Sequence, residues 1–495
     1  MTLRRLLQGS ALSTIDQIVR AISALALTPV MVSALGMADF GLWVLLTGLF
    51  SQFVLLDPGL QSSLPRFLVQ RDAGELRAVA STAQRIYGIV AAASAMVALT
   101  VWLLLPLFIN GAARLETARW IAVLLGITTV TSTLMRLPAL YLESLMRRDL
   151  IAGIAIVRVV VCTTAALWLL LRRGGGLLDV ALVHASGALV ESLLLAWCGR
   201  ELFSSISRRW VDRAVARRLL GFSSWAYLIS TCERLRSGLD GFVLGWLRGS
   251  PAAGAYNLGA RPVSMVFDTV YACIGTQLLP AFTRLRETGD HARLGSAFVS
   301  VTRLAAYLSI TAAGFVVALG PSFLLWWVPA QAAEAAPVLL CLVLPLALQM
   351  AQVPAVHLLY AVAEHRVLAL AQTAGLVLNL VLSIALARWL GIVGAALGTA
   401  IEIMVLHGLV MPMIIACKMR ITPAAFLWRA QWMPLLACAA AIAVPAALIA
   451  KWMPPQPSVW NLITAAIALL AWLAVWARAF RVGGKEFSEL RQLLK

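Results

Sequence analysis

Fourteen stretches of this chain are each long and apolar enough to cross a lipid bilayer, and almost nothing lies between them. A helix needs roughly 20 largely apolar residues to span a hydrocarbon core about 30 Å thick. Spans are expected near Ala11–Leu35, Asp39–Ser62, Ala83–Ile109, Ala118–Leu142, Ile151–Leu171 and Leu177–Phe203. A second set follows near Leu219–Leu247, Gly254–Thr283, Ser296–Gly320, Ala336–Tyr360, Val367–Arg388 and Gly391–Cys417, and the last two near Phe426–Ala450 and Ser458–Arg478. The longest inner connection covers about 204–218 and the longest outer one about 321–335. Neither can hold a folded domain, since domains begin near about 50 residues. Soluble catalytic modules and nucleotide-binding domains are thereby excluded, and neither G-x-x-x-x-G-K-[ST] nor a strand-borne G-x-G-x-x-G occurs.

A net charge of +18 would suggest nucleic acid, but the positions of the basic residues say otherwise. With the N-terminus inside, 26 of the 40 Lys and Arg fall on inner segments, 7 on outer turns and 7 within spans. That asymmetry is an orientation signal, and it places both termini in the cytoplasm. Anionic membrane lipids are the partner it implies, and nucleic acid is not. The first stretch is a span and not a cleaved leader, because Asp16, Gln17 and Arg20 interrupt its apolar run. The seven cysteines fall in or at the ends of helices, with no C-x-x-C pair and no Cys/His cluster of metal spacing. No metal or cofactor is expected.

Spans one and two echo spans seven and eight. DQIVR (Asp16–Arg20), ADFGLWVL (Ala38–Leu45) and SLPRFL (Ser63–Leu68) correspond to CERLR (Cys232–Arg236), AAGAYNLG (Ala252–Gly259) and LLPAF (Leu278–Phe282). Gly41 is matched with Gly254, and Pro65 with Pro280. The reading is an all-α integral membrane protein of fourteen helices, built as two six-helix bundles related by internal repeat around a central cavity. The bundles cover 1–203 and 219–417, with a basic cytoplasmic linker at 204–218. Helices 13 and 14 and a cytoplasmic tail occupy 418–495.

Charged side chains within a bilayer are costly and mark a pathway or a paired site. The candidates are Asp16 and Arg20 in span one, Glu233, Arg234, Arg236 and Asp240 in span seven, and Arg261 with Asp268 in span eight. Asp16 and Arg20 are four apart and share a face, as do Glu233, Arg236 and Asp240. Arg234 points about 100° away. Glu191, and Glu402 with His407, are further members. Arg136, Arg158 and Arg303 lie in the inner third of their spans, where a long side chain can reach the headgroups. Asp57 is read as a cap or pair at the inner end of span two. No Ser/His/Asp order or carboxylate pair stands on a loop, so catalysis is not expected.

LGMADFGLWVL (Leu35–Leu45) and LLDPGLQSSLPRFL (Leu55–Leu68) resemble the N-terminal signature of Wzx-type polysaccharide flippases, in the multidrug/oligosaccharidyl-lipid/polysaccharide exporter superfamily. Leu35, Gly36, Phe40, Gly41, Trp43, Asp57, Gly59, Arg66 and Phe67 carry the match. The resemblance implies alternating access and a polyprenyl-pyrophosphate-linked oligosaccharide turned from the inner to the outer leaflet of a bacterial cytoplasmic (inner) membrane. A polysaccharide polymerase and other assembly proteins, for O-antigen, lipopolysaccharide or exopolysaccharide, are the partners it implies. Arg20, Arg234, Arg236 and Arg261 would hold the pyrophosphate; Asp16, Glu233, Asp240 and Asp268 would couple ions or line the cavity. The seven arginines inside the spans are matched by seven acids. That balance keeps an H⁺- or Na⁺-coupled multidrug antiporter as the alternative. A membrane polysaccharide polymerase or ligase would be expected to present a substantial external loop, which this chain lacks.

Overall fold

The computed structural model describes residues 2–419 except 58, 70–71, 110, 207–211 and 222–223, and beyond them only 432–433, 436, 463–468, 470–472 and 474. It divides into two compact units, one of residues 1–238 with 249–254 and one of residues 239–248 with 255–495. The expected spans thirteen and fourteen lie largely outside the described residues.

The first unit begins with α1 (Thr2–Leu35), which stops at Gly36 with φ +80°, and continues with α2 (Met37–Ser51). The second expected span, Asp39–Ser62, is not one helix. It narrows to a 3₁₀ turn at Gln52–Leu56, breaks, and resumes as α3 (Leu60–Leu68). A residue before proline avoids helical torsion. Asp57, which precedes Pro58, has ψ 112°, and Gly59 follows in the left-handed region at φ +85°. Then come α4 (Ala73–Leu104), α5 (Ala112–Leu134) and α6 (Arg136–Ser144), the last two being the expected fourth span divided at Met135. α7 (Arg148–Arg172), α8 (Leu177–Cys198), α9 (Arg213–Gly221) and the start of α10 (Ser224–Arg248) complete the unit. α1 packs along α7, and α8 along α5 and α7. At one end α3, α6, α9 and the first turns of α4 share a core that includes Leu60, Leu64, Tyr87, Leu137, Val215 and Leu219. α9 turns Val215 and Leu219 into that core and leaves Arg213 and Arg217 exposed.

The second unit contains the end of α10, most of α11 (Ser250–Glu287), α12 (His291–Trp327), α13 (Ala332–Ala351) and α14 (Val353–Ala361). α15 (His365–Val405) follows, then a π-turn at Leu406–Val410 and α16 (Met411–Met419). α15 is two arms, because Gly391 departs from helical torsion (φ 63°, ψ −135°). An added Cβ on Gly394 would lie 2.0 Å from the Leu386 carbonyl oxygen, on Gly398 2.7 Å from the Ser383 nitrogen, and on Gly375 2.7 Å from Glu402 Oε1. The partner residue falls as the glycine number rises, so the arms run antiparallel as expected for spans eleven and twelve.

Among the described residues, nine helical stretches are long and apolar enough to span a membrane. The reading of fourteen is larger because spans thirteen and fourteen fall largely outside the described residues and because three of the other twelve are not counted separately. The nine count 365–418 as a single stretch across Gly391, and they leave out α10 and α11, which carry the charges at 233–240 and at 261 and 268.

The two units repeat a backbone detail 217 residues apart. Met135 (φ −93°, ψ 14°) and Gln352 (φ −95°, ψ 1°) each divide a span, and a nine-residue helix follows in both cases. Both short helices end through a left-handed residue that is not glycine, Met146 (φ 55°) and Ala363 (φ 61°). Arg147 N donates to Leu142 O at 2.8 Å, and Glu364 N to Leu359 O at 2.9 Å, as in a Schellman turn. Within the first unit the sequence-matched glycines meet. A Cβ on Gly254 would lie 3.1 Å from Gly41 Cα, and one on Gly41 would lie 1.8 Å from the Ser250 carbonyl oxygen.

Gly41→Ala is therefore expected to lower the unfolding temperature sharply, since overpacking costs about 1–3 kcal/mol and more where backbone opposes it. Gly48→Ala, with nothing within 4 Å, is the control that should leave it unchanged. Ala363→Gly removes a left-handed strain of roughly 1–2 kcal/mol and should raise the unfolding temperature. Differential scanning fluorimetry in detergent reads all three.

Candidate functional site

In a fold whose surface meets hydrocarbon, the informative residues are charged ones that are exposed within spans. α1 presents such a pair. Arg20 donates through Nε to both carboxylate oxygens of Asp16 at 2.9 Å, and its side chain remains 43% exposed. The two Nη groups, whose parallel donors suit phosphate oxygens, lie outside that bond. On α10, Glu233 and Arg234 are exposed together with Ser230 and Ser237. On α11, Arg261 and Asp268 are exposed on one stripe, seven residues apart and within electrostatic reach of each other. Exposing Arg or Asp to hydrocarbon at mid-membrane costs about 2.5–3.5 kcal/mol each on insertion scales. Where such a face lies within the bilayer, that cost favours water over hydrocarbon beside it. Each unit carries such a face: α1 and the start of α10 in the first, α11 in the second.

Span seven changes character along its length. Arg236 is 7% exposed and Asp240 is 3% exposed, so the expected shared face with exposed Glu233 is divided between surface and interior. Asp240 is the hub of a polar cluster within the second unit. Tyr256 donates its hydroxyl to Oδ2 at 2.5 Å and Ser383 donates to Oδ1 at 2.7 Å. Thr399 also donates to Oδ2, and Asn379 Nδ2 donates to Thr399 Oγ1 at 2.8 Å. The antiparallel arms of α15 put Ser383 and Thr399 on facing surfaces, with Gly398 admitting the close approach. Sequence reasoning missed Tyr256, Asn379, Ser383 and Thr399. Neutral hydroxyls and amides are ordinary in apolar helices; the α15 hairpin brings Asn379, Ser383 and Thr399 to the acid, and α11 brings Tyr256.

The first unit holds further interior groups at its helix breaks. Asp57 accepts from Leu60 N at 2.8 Å, capping α3, and from the Tyr87 hydroxyl at 3.2 Å, so it both caps and pairs. Arg136 does not extend freely toward the headgroups; at the first turn of α6 it donates to Gln61 Oε1 at 2.6 Å. Arg158 is likewise turned inward, with Nε 2.7 Å from Glu191 Oε2 across α7 and α8. Gly187 on α8 packs against Cys162 and Arg158, which holds the two helices at this spacing. Among the described residues no group of three or more His, Cys, Asp or Glu could hold a metal ion.

These features belong to an all-helical membrane protein that carries charged side chains exposed along helices of both units. Over 96% of this chain and 99% of the other, the structure is similar to "Lipid II flippase MurJ, inward closed conformation", with a TM-score of 0.73 at 11% identity. It is also similar to an inward-facing multidrug resistance MATE transporter over 83% of this chain and 98% of that one (TM-score 0.67, 14% identity). A superfamily transporter from Pyrococcus furiosus, described as having a binding pocket of reverse polarity, matches over 85% and 94% (TM-score 0.52, 15% identity). No curated protein matches the sequence. Residues 30–328 match the family described as polysaccharide biosynthesis protein, and the chain belongs to that family.

Removing one partner of an ion pair strands the other charge, at about 3–5 kcal/mol when the pair is fully buried, whereas replacing both with apolar groups is nearly neutral; Arg158 and Glu191 are 20% and 21% exposed, so the same ordering is expected at a smaller size. Glu191→Met alone is thus expected to destabilise the protein more than Arg158→Met with Glu191→Met together. Asp240→Val, which orphans three hydroxyl donors, should destabilise by several times the roughly 1 kcal/mol expected of Tyr256→Phe. Unfolding temperatures of the purified variants test both orderings.

Proposed function

We propose that the protein is a flippase that carries a polyprenyl-pyrophosphate-linked oligosaccharide from the inner to the outer leaflet of the bacterial cytoplasmic membrane, for surface polysaccharide assembly. The observation that carries this reading is the exposed charge on α1, α10 and α11 within membrane-spanning helices. Family membership and the fold of a lipid II flippase support it. A diphosphate between two large groups, one sugar and one isoprenoid, needs cations along its route and hydrocarbon for its tail. Arg20, Arg234 and Arg261 offer guanidinium donors on exposed faces, with a planar geometry suited to phosphate. Arg236, enclosed in this state, would join them where span seven opens. Asp16, Glu233 and Asp268 stand beside these arginines and keep each face near neutral, so that the anion is held weakly enough to leave. Asp240 is the coupling acid in this scheme, gaining and losing H⁺ or Na⁺ as its hydroxyl partners move. The distribution of Lys and Arg supports both termini facing the cytoplasm in this scheme. Polymerising and assembly proteins are the partners that would receive the product.

The near balance of acids and arginines, with MATE transporters among the similar folds, supports a second reading as a cation-coupled drug antiporter. One set of strains separates the two. Deleting the gene should leave lipid-linked repeat units on the cytoplasmic leaflet and deplete surface polysaccharide; Arg20→Ala or Arg261→Ala should lose export while still inserting at normal levels. Normal surface polysaccharide with drug hypersensitivity would sink the flippase reading, and unchanged export in both variants would remove these arginines from the site.

A further inference from the structure

Span twelve holds a second buried ionisable group that the transport scheme does not use. Glu402 is 0% exposed and His407 is 2% exposed. On the same stretch Ile401, Met404 and Leu409 are exposed, so lipid-facing and interior flanks are cleanly separated and both ionisable groups lie on the interior flank. Glu402 is eleven residues from the turn at Gly391, a rise of about 16 Å, which is the depth of the mid-bilayer. The surroundings are shaped to it. Gly375, on the facing arm of α15, leaves space that a Cβ would fill, 2.7 Å from Glu402 Oε1. Gly408 is met by Leu348 of α13, one turn before the helix break at Gln352. Gln372 and Gln352 are themselves 1% and 0% exposed. The helix widens into a π-turn over Leu406–Val410, at the imidazole. Such π-turns are rare and occur often at functional sites.

We propose that Glu402 and His407 constitute a proton-binding site in the second unit, separate from the cluster around Asp240. A carboxylate alone at this depth would be an uncompensated charge in a medium that cannot solvate it. Carboxyl and imidazole together are neutral when they hold one proton between them, as COOH with imidazole or as carboxylate with imidazolium. Binding a second proton leaves the pair +1, and losing the first leaves it −1. The two groups are five residues apart, about 7.5 Å along the helix axis, and both lie on the interior flank, so each sits in the other's field and their protonation is coupled. The elements packed against the π-turn are α13, α15 and α16. Their other ionisable groups are Glu334 and Cys341 on α13, His365, Arg366 and Arg388 on α15, and Cys417 and Lys418 on α16. α14, packed on α15 and α16, adds His357 and Tyr360. Asp240 meets Thr399, three residues before Glu402. Since both groups are sealed in this state, exchange with water needs another state of the unit. Proton uptake is thereby tied to conformational change.

The site is a property of the folded protein, so its test does not require a transported substrate, and its failure would leave the flippase reading untouched. Full-length protein in nanodiscs is titrated with pH while the carboxylic-acid C=O stretch is followed by infrared difference spectroscopy. A band that titrates in the native protein, vanishes in Glu402→Gln and survives in Asp240→Asn is expected. In His407→Gln its midpoint should move by at least about one pH unit, tenfold in proton affinity. Persistence of the band in Glu402→Gln overturns the proposal, as does an unmoved midpoint in His407→Gln. If Glu402→Gln fails to fold, the other two variants decide: loss of the band in Asp240→Asn, or no shift in His407→Gln, is fatal to it.

Discussion

Hydrocarbon offers no hydrogen-bond partner, and every polar atom of this chain that enters it must bring one along. Asp57 answers with a helix end and a tyrosine, Asp240 with three hydroxyls, and Arg158 with a glutamate on the next helix. The backbone obeys the same demand. Where α5 gives way to α6, the Leu134 carbonyl accepts from Gln84 Nε2 at 3.2 Å. The Ala361 carbonyl near the end of α14 takes Arg286 Nη1 at 2.7 Å.

Much of this was legible from residue order. The apolar stretches mark the long helices α1, α4, α7, α8 and α10 to α12, though not the short α3, α6 and α9, and the i, i+4 spacing of Asp16 and Arg20 gives their ion pair directly. Asp57 before a proline points to the break in the second span. The division at Met135 is a different matter. Its cue is displaced along the chain: Pro138 and Pro354 sit in the first turns of α6 and α14, and each lacks the N–H that would reach back four residues to the Leu134 or Met350 carbonyl. The inward turn of Arg158 was hidden. Its distance from the inner membrane edge permits a path to the headgroups, and only the register of α7 against α8 supplies the competing carboxylate.

The candidate site was partly legible for a related reason. Charges in apolar helices announce themselves, so Asp16, Arg20, Arg261 and Asp268 stand out in sequence and on the surface alike. Periodicity alone placed Arg236 and Asp240 on the same face as Glu233, yet the first two are enclosed and the third is exposed. A helical wheel assigns direction but not what waits there. The hydroxyl partners of Asp240 come from positions 256, 383 and 399, and no local pattern joins residues so far apart.

The short basic helix α9 has a mechanical consequence. Because Val215 and Leu219 are sunk into the same core as Leu60 and Leu64, α9 is anchored to α3. A displacement of α9 therefore cannot occur without repacking α3 and α4.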